Sequence, residues 1–481
     1  MPLPTEGIHA TEFISTLNID KPSVLDILYP RRRDQWMSFM KIIQMMGFEM
    51  PVTQESYTHY EDDHYHKTIT VDAGSPIAGA SGAAGATFTI TLAATDVFTD
   101  TLGADHVYPR VGDLVQFPNV AGNVARDVQG IVVAVDATVP EIDVVLLRAA
   151  DTAGPHPGGS QLVIYSGAFS EGTGQPKGAT ENILEFENFL QIIKESWQGT
   201  GTEMTNGKWF TRTADGKQIN AFWRYGQEIV DYRMALKCDG ALLFGNETTN
   251  TIPDPLPEAT GRPIKTTIGA IPFTRANGSL LPYTSGFFQM ADFNTAATFA
   301  EKERAGNLLC LFYGFNLGIE IEDMMVDYFK ETNVTYETVI NQAFNGDKEK
   351  AMAVGFKALR KAEHTWLFKK LGVLSHPQLW GAPGYNDKIG LGWVVPVAKQ
   401  NAYADAARKR VLTDVPTFGM VYKALGEHNR RSDIWEINGT SHRPALRMLI
   451  SQDIDNLYQR AHIGGRFMCG NQMQLWEPTV V

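Results

Sequence analysis

The chain has 481 residues, of which 43% are hydrophobic and 20% charged, a balance that supplies a buried core and allows about three domains. Its net charge of −12 at pH 7 argues against a surface that wraps nucleic acid, while leaving local basic patches open. Cys238, Cys310 and Cys469, the three cysteines, have no metal-ligand spacing and cannot all pair within one chain, which fits a reducing compartment.

Taken in order, the start MPLPTEGIHATEF lacks both the charged and the apolar region of a secretory signal. The most apolar run, Leu308 to Ile319, is too short and too glycine-broken to cross a bilayer. A soluble protein made inside the cell is expected, with no membrane partner. Residues 1–30 contain Pro2, Pro4, Pro22 and Pro30 and read as an extended arm that docks on something else. Arg31 to Arg33 read as a solvated helix start. Trp36, Met40, Ile43 and Met46 then fall at helical spacing, and Gly47 can stop that helix. Its methionines fit core packing better than an adaptable contact surface.

From Tyr57 to Val71 the sequence is YTHYEDDHYHKTITV. Asp62, His64 and His66 alternate and on a strand would share one face. That spacing admits a divalent metal, but no further cluster completes a site, and a hydrated strand pairing with a neighbouring chain is the better reading. Glu61, Asp62, Asp63, His64, His66 and Lys67 are therefore candidate inter-subunit contacts. The segment AGSPIAGASGAAGA (73–86) reads as a flexible small-residue linker. It leads into TFTITLA, VGDLVQF, GIVVAVD, EIDVVLLR and QLVIYS, five alternating runs divided by turn-rich stretches. Such spacing predicts a small β-barrel or sandwich module. YSGAFSEGTGQPKG (165–178) then reads as a return strand and loop, which makes the module, 84–161, an insertion.

ENILEFENFLQIIKESWQGTG (181–201) is ambiguous between helix and strand, and its apolar residues Ile183, Phe186, Phe189, Leu190, Ile193 and Trp197 favour the helical period. A longer helix follows over 221–245. Phe222, Tyr225, Ile229, Tyr232, Leu236 and Leu243 recur every three or four residues, one apolar side of a rod on which other elements pack. Residues 250–290 are rich in proline and glycine and predict strands and loops without a long helix. Beyond them, MMVDYFKE and DKEKAMAVGFKALRKAEHTWLFKKLGV have helical patterns, and GWVVPV and FMCGNQMQLW strand-like ones, a mixture that suits an α+β domain.

No catalytic, cofactor or metal constellation is expected. GxxxxGK[ST], HExxH and GxSxG are absent, and Gly216-Lys217 is followed by Gln. EGTGQPKG lacks a third glycine at the step a dinucleotide fold requires. His364 beside Glu363 and His428 beside Glu427 read as surface positions.

The order of parts resembles the major capsid proteins of tailed bacteriophages, the family named for phage Hong Kong 97. An arm, a long loop returning through SGAFSEGTGQPKG, the segment FENFLQIIKESWQGTGTEMT and a helix closing on ALLFGN follow one another. In that family an asparagine-x-x-glutamine and a threonine-glycine-threonine precede the spine helix, and here Asn188, Gln191 and Thr200-Gly201-Thr202 stand in those places. The small-Leu-Leu-Phe-Gly close is matched at Ala241 to Gly245. The layout covers roughly 1–300, and the motifs 165–246. The size and the insertion look most like capsid proteins of larger podoviruses, including the crAss-like phages.

The resemblance implies an α+β, Hong Kong 97-like capsid fold. It divides the chain into an N-terminal arm and first helix (1–56), an extended loop (57–83 and 162–180), the inserted β module (84–161), a peripheral domain (181–300) with its spine helix (221–245), an axial domain (301–440) and a return to the peripheral domain (441–481). It implies a structural subunit without enzymatic activity, made in the bacterial host cytoplasm and resident in the virion. Hexamers and pentamers of the chain would close an icosahedral shell around double-stranded DNA held without sequence-specific contacts. Neighbouring capsomers, a portal at one vertex, a separate scaffolding protein and auxiliary or head-fibre proteins are the implied partners. Lys67, Lys177 and Asn438 are the candidates for the covalent cross-link that some members form. An encapsulin-like nanocompartment shell is the nearest rival, against which the insertion speaks, and a metal-dependent enzyme with a site near His59 to His66 is a further one.

Overall fold

The computed structural model describes residues 38–62, 68–99, 103–118, 128–176, 183–202, 212–214, 217–219, 221–254, 262–332, 357–361, 363–376, 388–397, 399–402, 412–437 and 452–479. Among these are 26 strands and five α-helices, a mixed α/β chain dominated by strands. The chain forms two compact units, the second being His59–Phe186 and the first built from the residues on either side of it.

The first unit opens with α1 (Phe39–Met46), which stops where Gly47 takes a left-handed φ of 71° and donates its N–H back to Gln44 and Ile43. Strand β1 (Glu49–Val52) follows, and β2 (Ser56–Asp62) carries the chain into the second unit.

That unit contains β3 (Thr68–Thr70), β4 (Phe88–Thr91), β5 (Val97–Thr99), β6 (Asp105–Val107), β7 (Asp113–Phe117), β8 (Val128–Asp136), β9 (Glu141–Leu146) and β10 (Gln161–Gly167). The five runs marked by alternation are β4, β7, β8, β9 and β10. Six strands make one sheet in the order β3-β10-β7-β8-β9-β4, every pair antiparallel. Its two edges meet: Val71 bridges Leu92, Asp72 N–H donates to Thr91 O at 2.9 Å and Ala93 N–H to Thr70 O at 2.8 Å. Inward residues such as Ile90, Phe117, Val132, Ile142, Val144 and Leu162 fill the interior. Burying each contributes about 1.5–3 kcal/mol.

The segment 73–86 is not the flexible linker that its composition suggests. Ile77 is buried and bridges His156, Ala84 N–H donates to Ala149 O, and Ala153 N–H to Ser81 O. A Cβ added at Gly154 would lie 2.0 Å from Ala78 O, and one at Gly158 2.3 Å from Ala73 O. The small residues serve close backbone approach between two stretches far apart in sequence.

Strand β11 (Ile183–Phe189), which pairs with β2, returns the chain to the first unit. There follow β12 (Gln191–Thr200), the hairpin β13 (Arg212–Ala214) and β14 (Lys217–Ile219), the long helix α2 (Ala221–Phe244), α3 (Ala270–Asn277), β15 (Ser279–Thr284), α4 (Met290–Lys302), β16 (Leu308–Tyr313) and α5 (Phe315–Thr332). The remaining strands are β17 (Lys357–Lys361), β18 (His364–Lys370), β19 (Gly392–Pro396), β20 (Lys399–Ala402), β21 (Leu412–Pro416), β22 (Phe418–Leu425), β23 (His428–Asn429), β24 (Asp433–Ile437), β25 (Ile454–Phe467) and β26 (Gln474–Thr479).

Two expectations fail here. Residues 183–200 are strands, because β12 pairs along its whole length with β25, from Gln191 opposite Ile463 to Thr200 opposite Ile454. The helical pattern read into 347–373 likewise gives way to β17 and β18 over its described part. Parallel pairing of β18 with β16 buries Trp366, Leu367 and Phe368 in a row, and tertiary packing overrides a weak local preference.

Two sheets organise this unit. One runs β1-β22-β25-β12, with β23 on β22 and β24 on β25, and the other runs β15-β26-β19-β16-β18-β17. Phe39 of α1 ties them together. Its ring meets Phe312 and Trp393 of the second sheet edge-on at 5.7 and 5.8 Å and stacks on Phe418 of the first at 6.5 Å. Under the second sheet, α4 packs Phe293 against Trp366, Phe368 and Trp476. His364, expected at the surface, is 2% exposed beside Trp366, whereas His428 is exposed.

Candidate functional site

Two of the residues that carry the family resemblance, Asn188 and Gln191, meet at one buried polar node, where β11 gives way to β12. Asn188 fills its amide completely. Its Nδ2 donates to Gly465 O at 2.8 Å and Ile268 O at 3.4 Å, and its Oδ1 accepts from Phe189 N at 2.7 Å and Ile268 N at 2.9 Å. Thr267, fully buried, accepts the Gly465 N–H on its Oγ1 at 3.0 Å, directs that hydroxyl to Asn188 Oδ1 at 3.3 Å and donates its own N–H to Gln191 Oε1 at 3.4 Å. Tyr57 of β2 donates its phenol to Gly465 O. Burial pushes that phenol well above its ordinary pKa, so it remains a donor at any physiological pH.

The node joins β2, β11, the segment after α2, and β25. It needs the two glycines in mid-strand: a Cβ at Gly464 would lie 2.6 Å from Tyr57 Oη, and one at Gly465 2.4 Å from the Phe467 ring. Sequence reasoning missed Thr267, Gly464 and Gly465. A glycine pair inside an otherwise strand-like run was the available signal.

Helix α2 lies on β12 and β25, at about 36 Å long for its 24 residues. Val230 packs with Leu457 and Trp197. Gly226 admits the Trp197 indole so closely that a Cβ would lie 2.6 Å from it. The fully buried line is Gly226, Val230, Met234, Cys238 and Leu242, one residue along from part of the stripe read from the sequence. Of that stripe, Leu243 is buried and Ile229, Tyr232 and Leu236 are half-buried, while the side chains of Phe222 and Tyr225 lie outside those described. On the helix flank Glu195 holds Lys237 at 2.6 Å and Arg233 at 3.7 Å.

Asp239 has no counterpart in the sequence reading. It is fully buried on α2, and its two oxygens accept the N–H groups of Phe39 and Met40 at 2.9 and 3.0 Å. Ser38 Oγ accepts the next one, from Lys41. One carboxylate from the long helix thus shares the capping of α1 with the usual N-cap residue. Burial pushes Asp239 up to about 7, against the two backbone donors and Lys41, which pull it down.

Among the proposed loop contacts, Glu61 is half-buried and bonds His59 Nε2 at 3.0 Å, and His59 stacks on Phe186 at 5.2 Å. Asp62 ends β2, with its side chain outside those described. Asp63, His64, His66 and Lys67 lie outside the described residues, as do Lys177 and Asn438. Among the described residues no three His, Cys, Asp or Glu gather in a way that could hold a metal ion, and no helix is long and apolar enough to cross a membrane.

No protein-family model matches the chain, and no curated protein does. Solved structures resemble it over nearly its full length. One titled for Microbacterium phage Oxtober96 is 8% identical with a TM-score of 0.36, covering 96% of this chain and 98% of that one. One titled for Mycobacterium phage Adephagia is 7% identical with a TM-score of 0.37, covering 99% of each. A third, titled as the capsid of a native GTA particle, is 7% identical with a TM-score of 0.35, covering 98% of this chain and all of that one.

Proposed function

We propose that this chain is the major capsid protein of a tailed bacteriophage, a structural subunit with a Hong Kong 97-like fold and no catalytic role. The observation that carries the reading is the node itself. Asn188 and Gln191, the motif residues of the resemblance, hold the segment that leaves the long helix against the sheet on which that helix lies. In this reading α2 is the spine helix, and β2 and β11 are the two strands of the extended loop. The second unit is the inserted β module of that loop, barrel-like because its edges meet, centred on 84–161 and completed by β3 and β10. The axial domain falls within 301–440. The chain assembles as hexamers and pentamers that contact neighbouring capsomers and a portal, guided by a separate scaffolding protein and open to auxiliary proteins on its outside. Double-stranded DNA lies within without sequence-specific contacts.

Co-expression with a scaffolding protein, followed by negative-stain microscopy, tests this directly. Closed particles of uniform size are expected. A chain that stays monomeric by light scattering under those conditions overturns the reading.

A further inference from the structure

Lys423, Arg430 and His462 follow one another across the first sheet. Arg430 donates its N–H to Lys423 O and receives the His462 N–H on its own carbonyl, both at 2.9 Å. Arg460, two residues before His462 on β25, shares its face of the strand. Two carboxylates answer these cations: Glu55 reaches Lys423 at 3.2 Å, and Asp433 reaches Arg460 at 2.6 Å. Among the described residues no carboxylate pairs with Arg430.

Three nitrogens of this cluster are buried without a hydrogen-bond partner: Nε of Arg430, Nε of Arg460 and Nδ1 of His462. His462 itself is 1% exposed. A guanidinium Nε–H is an obligate donor, and leaving a donor buried and unanswered costs about 1–3 kcal/mol. Two such groups and an imidazole in one neighbourhood call for an acceptor that none of the described residues provides. The surplus of positive charge makes that acceptor an anion, and the burial of all three atoms restricts it to a small one.

We propose that Arg430, Arg460, Lys423 and His462 form a binding site for a small tetrahedral oxyanion of the phosphate and sulfate class. The two guanidinium Nε–H groups and a His462 tautomer protonated at Nδ1 donate to it, and Lys423 adds charge. Burial, and after it Lys423 and Arg430, push His462 down to about 4, so at neutral pH the ring acts as a neutral donor. The assignment is independent of the shell reading and survives or falls without it.

Calorimetric titration of the full chain with inorganic phosphate, at ionic strength held constant with chloride, is the test. Saturable one-to-one binding is expected, weakened about tenfold or more by Arg430→Gln. Arg431→Gln, whose parent residue pairs with Glu49 at 2.7 Å, leaves it unchanged. If Arg430→Gln fails to fold, histidine-labelled NMR of the unaltered chain answers instead, with phosphate expected to move the His462 ring signals. No saturable binding, an unshifted His462, or binding indifferent to Arg430→Gln overturns the proposal. So does displacement of phosphate by a short DNA duplex, which would make the site an exposed backbone contact.

Discussion

Asn188 and Asp239 show how much a single buried side chain can hold when both of its polar atoms are used. Asn188→Ala strands the Phe189 and Ile268 N–H groups that the amide oxygen now accepts. A loss of about 3 kcal/mol is expected in denaturant melts, since each buried group left unpaired costs about 1–3 kcal/mol. Asn188→Asp keeps the acceptor and turns the donor into a second acceptor facing a carbonyl, so it should cost at least as much. Asp239 has a different signature because it titrates. Its folded pKa, about 7, is raised from an ordinary 3.8 by burial. The folded state therefore binds a proton that the unfolded chain releases, and the stability from that proton is lost as pH rises from about 4 to about 7. Asp239→Asn mimics the protonated acid and removes this dependence. The stability of the unaltered chain minus that of Asp239→Asn should shrink over that pH window. A difference that grows instead would mean that the two backbone donors outweigh burial and that the pKa is lowered.

Helix α2 does the most organising among the elements, and Gly226 sets how closely it lies on the sheet. Gly226→Ala drives a methyl into the Trp197 indole and should destabilise by about 1–3 kcal/mol, the usual cost of overpacking. The double variant Gly226→Ala, Trp197→Phe should recover part of that loss, which a double-mutant cycle measures. Existence and length of this helix were legible from its apolar period, and so were five strands of the second unit from their alternation. The side on which the helix is buried was legible only to within one residue, because Gly226 and Cys238 carry no strong apolar signal and Tyr232 does. The strand β12 was misread for a physical reason: Leu190, Ile193 and Trp197 fall at helical steps by accident, and only pairing with β25, more than 250 residues later, decides between the two. The node was half legible. Asn188 and Gln191 came through resemblance and the Gly464-Gly465 pair stood as a local signal, whereas Thr267, and outside the node Asp239, act on partners 76 to 200 residues away, beyond the reach of any local pattern.

The two units differ most in charge across the whole molecule. The second unit, His59–Phe186, holds 16 of the 54 acidic residues and 5 of the 42 basic ones, so it carries eleven of the chain's twelve net negative charges. Its sheet buries its own apolar face, and two of its acids accept from threonine hydroxyls: Thr89 donates to Asp143 at 2.6 Å and Thr91 to Glu141 at 3.3 Å. A domain so charged repels itself, and the repulsion falls as salt shortens the Debye length from about 30 Å at 0.01 M to about 8 Å at 0.15 M. Expressed alone, residues 59–186 should therefore fold cooperatively, and their melting temperature should rise as sodium chloride is added over that range. The first unit, nearly neutral, should show a much weaker response when the second is replaced by a short Gly-Ser link. Melting indifferent to salt would mean that the acids do not set the stability of the unit, and a second unit that does not fold by itself would mean that it depends on the rest of the chain. The interior of the unit, from Ile69 to Ile164, then could not be regarded as a core sufficient in itself.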